Sequence, residues 1–174
     1  LMFSNKDDAE RVMRVLPKRL NKYGLSLHPE KTRLIELVTG QGSKPDTFNF
    51  LGFTHYVGTS RKGRGILKRK TQSKKMKASL KRLNEWMKAN RHKPVEQFIA
   101  ELNQKLRGHY GYYGITFNSR MLRSYYEQAK RLLFKWLNRR GGKRIWWIQM
   151  AELIDHRIPL EKPRIVHSQL GAKP

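Results

Sequence analysis

Three apolar stripes at helical spacing constrain this chain more than any other feature. Met76, Leu80, Leu83 and Met87 form the first, Val95, Phe98, Ile99, Leu102 and Leu106 the second, and Leu122, Tyr125, Ala129, Leu132 and Trp136 the third. Residues three and four apart share one side of an α-helix, so each stripe predicts an amphipathic helix with a face to bury. Three in succession predict a small helical bundle. Pro94 suits the first turn of the second helix, Ser119 can cap the third, and Gly141-Gly142 ends it. A last short helix is expected between Ile145 and Ile154, carrying Trp146 and Trp147, and the stretch from Pro159 to Pro174 reads as extended and basic.

The first third of the chain carries a different pattern. Ala9, Val12, Met13, Leu16, Leu20 and Tyr23 recur at helical spacing until Gly24, with Pro17 inside, where it should kink the helix or remove a backbone bond. Asp7-Asp8, the only acidic pair, precedes this stripe and suits a helix cap that complements the dipole better than a metal site. Leu25 and Leu27 alternate with polar neighbours, His28-Pro29-Glu30 turns the chain, and Thr32 to Val38 reads as a strand or extended edge. Thr47 to Val57 is dense in aromatic and β-favouring residues and gives the clearest strand signal. Its apolar parity changes between Phe48/Phe50 and Leu51/Phe53/Val57, which points to a bulge or a close backbone approach at Gly52. The fold class is therefore α+β, with a small β/α part followed by an α-helical bundle.

Charge decides what such a fold would meet. With 38 Lys and Arg against 13 Asp and Glu in 174 residues, the net charge of +25 calls for a polyanionic partner. From Gly58 to Arg82 the composition shifts abruptly: Arg61, Lys62, Arg64, Lys68, Arg69, Lys70, Lys74, Lys75, Lys77, Lys81 and Arg82 occur without one acidic residue. A domain boundary is expected there, and phosphate contact is the natural role for such a run, since Lys and Arg release counterions from nucleic acid when they bind it. Tyr110, Tyr112, Tyr113, Tyr125, Tyr126, Trp136, Trp146 and Trp147 interleave with the charge. Helical spacing sends most of them to the core and leaves a few to stack on bases. Gly108 and Gly111 stand in an otherwise helical stretch, Leu106 to Tyr113, at a cost of roughly 1 kcal/mol each relative to Ala, which suggests close approach of another backbone or of RNA. Lys31, between a turn and an extended segment, is either a placed cation for a phosphate or primer end, or an ordinary turn lysine.

Several chemistries find no footing. No run of 18 apolar residues exists, cysteine is absent, and the six histidines are scattered without metal-site spacing. No Gly-x-Ser-x-Gly, Walker A or His-Glu-x-x-His pattern occurs, and the acidic residues are too dispersed to converge on catalytic metals. No catalytic residue and no metal ligand is assigned. Leu1-Met2-Phe3, an apolar run without an initiator Met, raises the expectation that the chain is a fragment of a longer protein.

The order of the blocks resembles a known family. Tyr23-Gly24-Leu25-Ser26-Leu27-His28-Pro29-Glu30-Lys31-Thr32 is similar to the Gly-Leu-x-Leu-x-x-x-Lys-Thr block of group II intron reverse transcriptases, and Phe50-Leu51-Gly52-Phe53 to the Phe-Leu-Gly-Phe block that follows it. Leu106 to Tyr113 resembles the Leu-Arg-Gly-x-x-x-Tyr-Tyr segment of the family's maturase domain, with His109 and Gly111 where members often carry an aromatic and an Asn, and Pro163-Arg164-Ile165-Val166-His167 resembles its tail. The resemblance implies that residues 1–58 are the end of a polymerase palm, 59–142 a basic thumb and maturase-specific helical domain, and 143–174 a C-terminal tail. It implies an RNA-directed DNA polymerase and splicing protein whose Mg2+ ligands lie upstream, so that this chain alone is inactive as a polymerase. Its partners would be group II intron RNA, an RNA template and a DNA primer, in a bacterial cytoplasm, with no membrane. The implied nucleic-acid-binding residues are Lys31, Gly52, Arg61, Lys62, Arg64, Lys68, Arg69, Lys70, Lys74, Lys75, Arg107, Tyr110 and Tyr113. The rivals are a stand-alone basic RNA-binding or chaperone protein, and a diversity-generating or CRISPR-associated reverse transcriptase.

Overall fold

The computed structural model describes residues 3–36, 47–60 and 62–168. Within them lie five α-helices and one three-stranded antiparallel sheet. Helix α1 (Lys6–Asn21) opens at Asn5, whose side chain accepts from the Asp7 N–H at 3.0 Å, with Asp7 and Asp8 in the first turn as the dipole favours. It runs on through Pro17 to Asn21. Segment 25–32 folds back so that Leu25, Leu27 and Pro29 face Met13 and Pro17 across a shallow cleft. Of the strand or extended edge expected from Thr32 to Val38, residues 32–36 form no strand, and 37–38 lie outside the described residues.

The aromatic stretch makes a hairpin rather than one bulged strand. Strands β1 (Phe48–Phe50) and β2 (Phe53–Thr59) pair with Phe50 opposite Phe53, leaving Leu51-Gly52 as a two-residue turn with φ of 47° and 79°. Two positive φ angles are the signature of the primed turns that match strand twist, and they favour Gly at the second place. This turn produces the parity change that the sequence pattern ascribed to a bulge or a close backbone approach: there is no bulge, and Gly52 lies close against Tyr113.

Strand β3 (Gly65–Thr71) pairs with β2 along its whole length, from Phe53 opposite Thr71 to Thr59 opposite Gly65. It lies inside the lysine-rich stretch, so the sheet continues across the change in composition at Gly58.

Helices α2 (Ser73–Asn90), α3 (Val95–Tyr113) and α4 (Ser119–Leu137) follow as the three stripes predict, and α5 (Trp147–Glu152) continues into a π-helical turn, Leu153–Arg157. Helices α2 and α4 pack directly on each other in the same direction, with Ser79 near Tyr125 and Asn84 near Trp136, and α3 runs antiparallel against them, with His109 near Ser79 and Phe98 near Trp86. Phe98, Ile99, Leu102, Leu106, Ala129, Leu133 and Met150 are completely buried where these helices meet. Each such side chain contributes roughly 1.5–3 kcal/mol when removed from water, Ala129 less.

One buried side chain joins the sheet to the bundle. Asn118, wholly buried, precedes α4 in the capping position expected of Ser119. Its Oδ1 accepts from the Thr71 N–H at 2.8 Å, and its Nδ2 donates to Thr71 Oγ1 and to the Tyr113 carbonyl, both at 2.8 Å. The end of β3, the end of α3 and the start of α4 thus share one amide. Replacing Asn118 with Leu leaves buried backbone groups unpaired, and should lower unfolding free energy by about 2–4 kcal/mol. Urea denaturation followed by far-ultraviolet circular dichroism reads this directly; a loss below about 1 kcal/mol would show the junction is held by other contacts.

Candidate nucleic-acid interface

Strand pairing sorts the cations of β3 onto two faces. Lys68 lies opposite Tyr56 and Lys70 opposite Thr54, so both project from one face of the sheet, whereas Arg69 lies opposite His55 on the other. Lys70 Nζ sits 5.3 Å from the centre of the Tyr56 ring, and Lys68 Nζ sits 5.7 Å from that of Phe117 while donating to the Thr59 carbonyl at 2.7 Å. Lys62 and Arg64 occupy the exposed β2–β3 turn; Arg61 lies outside the described residues. The chain then enters α2 through Lys74 and Lys75, both exposed, in a first turn with no acidic residue.

This arrangement is electrostatically unsettled. A helix N-terminus carries partial positive charge, so lysines there repel it. Among the described residues the ion pairs are Lys81–Glu85, Lys93–Glu101 and Arg107–Glu161, none of which neutralises β3 or the first turn of α2. The result is a run of cations along β3 and into α2 with no ion-pair partner among the described residues, suited to phosphates rather than to any one base sequence.

Gly52 and the tyrosines at the end of α3 meet. A Cβ at Gly52 would lie 3.3 Å from Tyr113 Oη and 3.8 Å from Tyr112, while the Gly52 carbonyl accepts from the Gln72 N–H at 2.9 Å. Tyr112 Oη donates to the Leu51 carbonyl at 2.9 Å, and Phe53 packs against both tyrosine rings. The Phe-Leu-Gly-Phe turn and the Tyr-Tyr pair, more than fifty residues apart in sequence, therefore form one contact.

The C-terminal segment joins the same region. The Gly114 carbonyl accepts from the Val166 and His167 N–H groups at 2.7 and 2.8 Å, and a Cβ at Gly114 would lie 2.9 Å from the Arg164 carbonyl oxygen. Asn103 bonds the backbone of Pro159 and Glu161, Arg107 pairs with Glu161 at 3.3 Å, and His167 Nε2 donates to the Gly111 carbonyl at 3.0 Å. Residues 159–167 are thereby a strap along α3. Gly108 and Gly111 have no protein atom within 4 Å of a built Cβ, so protein packing does not explain them.

The remaining implied site residues are dispersed. Lys31 is exposed in the turn after α1, its N–H donating to the His28 carbonyl. Tyr110 is 1% exposed and belongs to the core, and burial holds its phenol far above the ordinary tyrosine range. Tyr113 is half-buried with its pKa raised by the same cause, while the exposed ring of the segment is Tyr112. No group of three or more His, Asp or Glu able to hold a metal occurs among the described residues. Among the described residues, then, no ligand set fits the Mg2+ implied for a polymerase.

Sequence reasoning left His109 without a role, and the structure supplies one. Its ring stacks on Tyr125 at 3.6 Å and its Nδ1 shares a hydrogen bond with the Ser79 hydroxyl at 3.2 Å, which itself donates to Tyr125 Oη. Burial, and then the nearby Arg82 cation, push its pKa from 6.5 down to about 4.

With this geometry in place, the comparisons with known proteins assign the family. Residues 64–151 match the family described as group II intron, maturase-specific domain. That span runs from the β2–β3 turn through the three bundle helices into α5 and covers half of the chain, which belongs to this family. No curated protein and no solved structure matches. The comparisons lend no support to a stand-alone RNA chaperone or to a diversity-generating or CRISPR-associated reverse transcriptase.

The His109 environment predicts acid sensitivity. The folded state favours neutral His109, so its contribution is intact above the unfolded value near 6.5 and is lost as pH falls from there towards 4. At about 1.4 kcal/mol per unit the loss is on the order of 3 kcal/mol. His109→Phe keeps the stack and removes the titration, so its urea midpoint should vary less between pH 7 and 4 than that of the wild type. Equal slopes would show His109 is not the sensitive group.

Proposed function

We propose that this chain binds group II intron RNA through the ridge formed by β3 and the first turn of α2, and that it helps the RNA adopt its splicing-competent fold. The observation that carries this reading is the run of unpaired cations Lys62, Arg64, Lys68, Lys70, Lys74 and Lys75, most of it within the family-matched span. The absence of convergent catalytic groups among the described residues fits a role in gripping and positioning, with splicing chemistry left to the RNA.

The reading extends to a longer reverse transcriptase. Residues 1–58 act as the end of its palm, 59–142 as thumb and maturase domain, and 143–174 as the tail. RNA template and DNA primer lie along the same cations, with Lys31 near the primer and the Gly52 turn abutting it. Support comes from the two sequence blocks that contain these residues, and from the exposed apolar side chains Val15, Tyr23, Leu25 and Leu34 around α1, which suit packing against further protein. Arg107 and Tyr113 contribute at the α3 surface beside Gly108 and Gly111, where open space admits a nucleic-acid backbone.

The test is binding to a structured group II intron RNA across a salt series. Affinity should fall steeply with salt, and Lys74→Ala/Lys75→Ala should reduce the slope of log affinity against log salt by roughly 1.4–1.8, two contacts at 0.7–0.9 each. Salt-insensitive binding, or binding no tighter than that of a neutral protein, would overturn the proposal.

A further inference from the structure

A second acid-free stretch runs from the second half of α4 into the connection to α5. Between Glu127 and Glu152 the chain carries Lys130, Arg131, Lys135, Arg139, Arg140, Lys143 and Arg144 and no Asp or Glu. Trp136 Nε1 donates to Asn84 Oδ1 at 2.9 Å, and Arg140 donates to the Lys93 carbonyl, so this stretch sits beside the end of α2 and the α2–α3 turn. Asn84, the α2 residue that Trp136 meets, lies nine and ten residues beyond Lys75 and Lys74, about 14–15 Å along the helix.

Large apolar side chains stand exposed among these cations. Trp146 is 67% exposed, Trp147 42% and Ile148 80%. Their backbone is braced: Asn138 accepts from the Ile145 N–H at 2.9 Å and donates to the Ile145 carbonyl, and the Trp146 N–H donates to Gln149 Oε1 at 2.8 Å. The Trp147 ring rests edge-on against Phe134 at 5.1 Å. Arg144 lies 5.8 Å from the Trp146 ring centre, and Lys130 5.8 Å from that of Trp147. Rings held in place beside cations form a surface for a ligand with both flat faces and negative charge.

We propose that Trp146 and Trp147, with Lys130, Lys143 and Arg144, are a second RNA contact that takes unpaired nucleotides, the bases stacking on the indoles and the phosphates meeting the cations. Stacking on an aromatic side chain requires bases free of a duplex, whereas the ridge at β3 and α2 offers cations to a backbone in any form. Charge complementarity selects RNA over an apolar protein surface, which would gain nothing from the cations. The proposal rests on the RNA-binding reading above and adds a distinct site and a distinct form of RNA.

The experiment compares the full chain with Trp146→Ala, Trp146→Phe and Lys74→Ala/Lys75→Ala, using a short oligouridylate and a duplex RNA of equal length. Trp146→Ala should weaken oligouridylate binding roughly five- to one-hundredfold, with Trp146→Phe restoring most of it. Duplex affinity should change by less than about twofold, because well-separated sites act independently. The lysine pair should show its larger effect on the duplex. Trp146 is exposed enough that its loss should leave the thermal melt unchanged, and this is checked in parallel. Oligouridylate binding unchanged in Trp146→Ala, or an equal loss on the duplex, overturns the inference while leaving the maturase reading intact. A shift in self-association or vesicle binding without a change in RNA affinity overturns it in favour of another occupant. Failure of the wild-type chain to bind either RNA removes both readings.

Discussion

The Asn118 amide is the contact on which the rest of the architecture depends. It sits where a sheet with little core of its own meets a bundle that has most of it, and from the residue that opens α4 it bonds both β3 and the end of α3. The residue before it, Phe117, is held at a φ of 72°, a conformation costing roughly 1–2 kcal/mol for a non-glycine residue. That strain is tolerated because the buried amide would otherwise lose several hydrogen bonds. The same junction sets the direction in which β3 leaves the bundle, and therefore where Lys68 and Lys70 stand relative to Lys74 and Lys75.

Charge in this molecule is segregated, and the segregation separates structure from function. Among the described residues, two of the three ion pairs serve the fold: Glu101 is bound by Lys93 at the α2–α3 turn, and Glu161 by Arg107 under the strap. These pairs are partly exposed, and such contacts are worth about 0–1 kcal/mol. They position segments more than they stabilise them. Stability comes from the apolar seam between α2, α3 and α4, which lets the outer surface carry unbalanced positive charge that a polyanion then relieves.

How much of this was legible in the sequence follows from how each element is stabilised. Helices α2, α3 and α4 were readable because burial on one face imposes a 3.6-residue period on their apolar residues. Strand β3 was not: Ile66, Lys68 and Lys70 point one way and Leu67, Arg69 and Thr71 the other, so cations on both faces erase the alternation that marks a half-buried strand. The parity change near Gly52 was visible, but a bulge and a two-residue turn both produce one, and only pairing of Phe50 with Phe53 distinguishes them. The strap left no local signal because its bonds run through the backbone of Gly114 and the side chain of Asn103, which any sequence pattern treats as ordinary.

The site was legible as composition before it was legible as geometry. Counting lysines located the ridge, yet the count could not show that β-pairing turns Arg69 away from Lys68 and Lys70, nor that Tyr110 is interior while Tyr112 faces out. The motif residues divide in the same way. Gly52, Tyr112, Tyr113, Gly114 and the 163–167 segment are satisfied by one another, so their presence follows from packing the hairpin and strap onto the end of α3. At Gly108 and Gly111, by contrast, a Cβ would meet no neighbouring group among the described residues. They are two helix-weakening residues on α3, Gly108 directly after Arg107 of the Arg107–Glu161 pair and Gly111 one turn beyond it. They leave open space along α3, on the same helix whose other face closes the core.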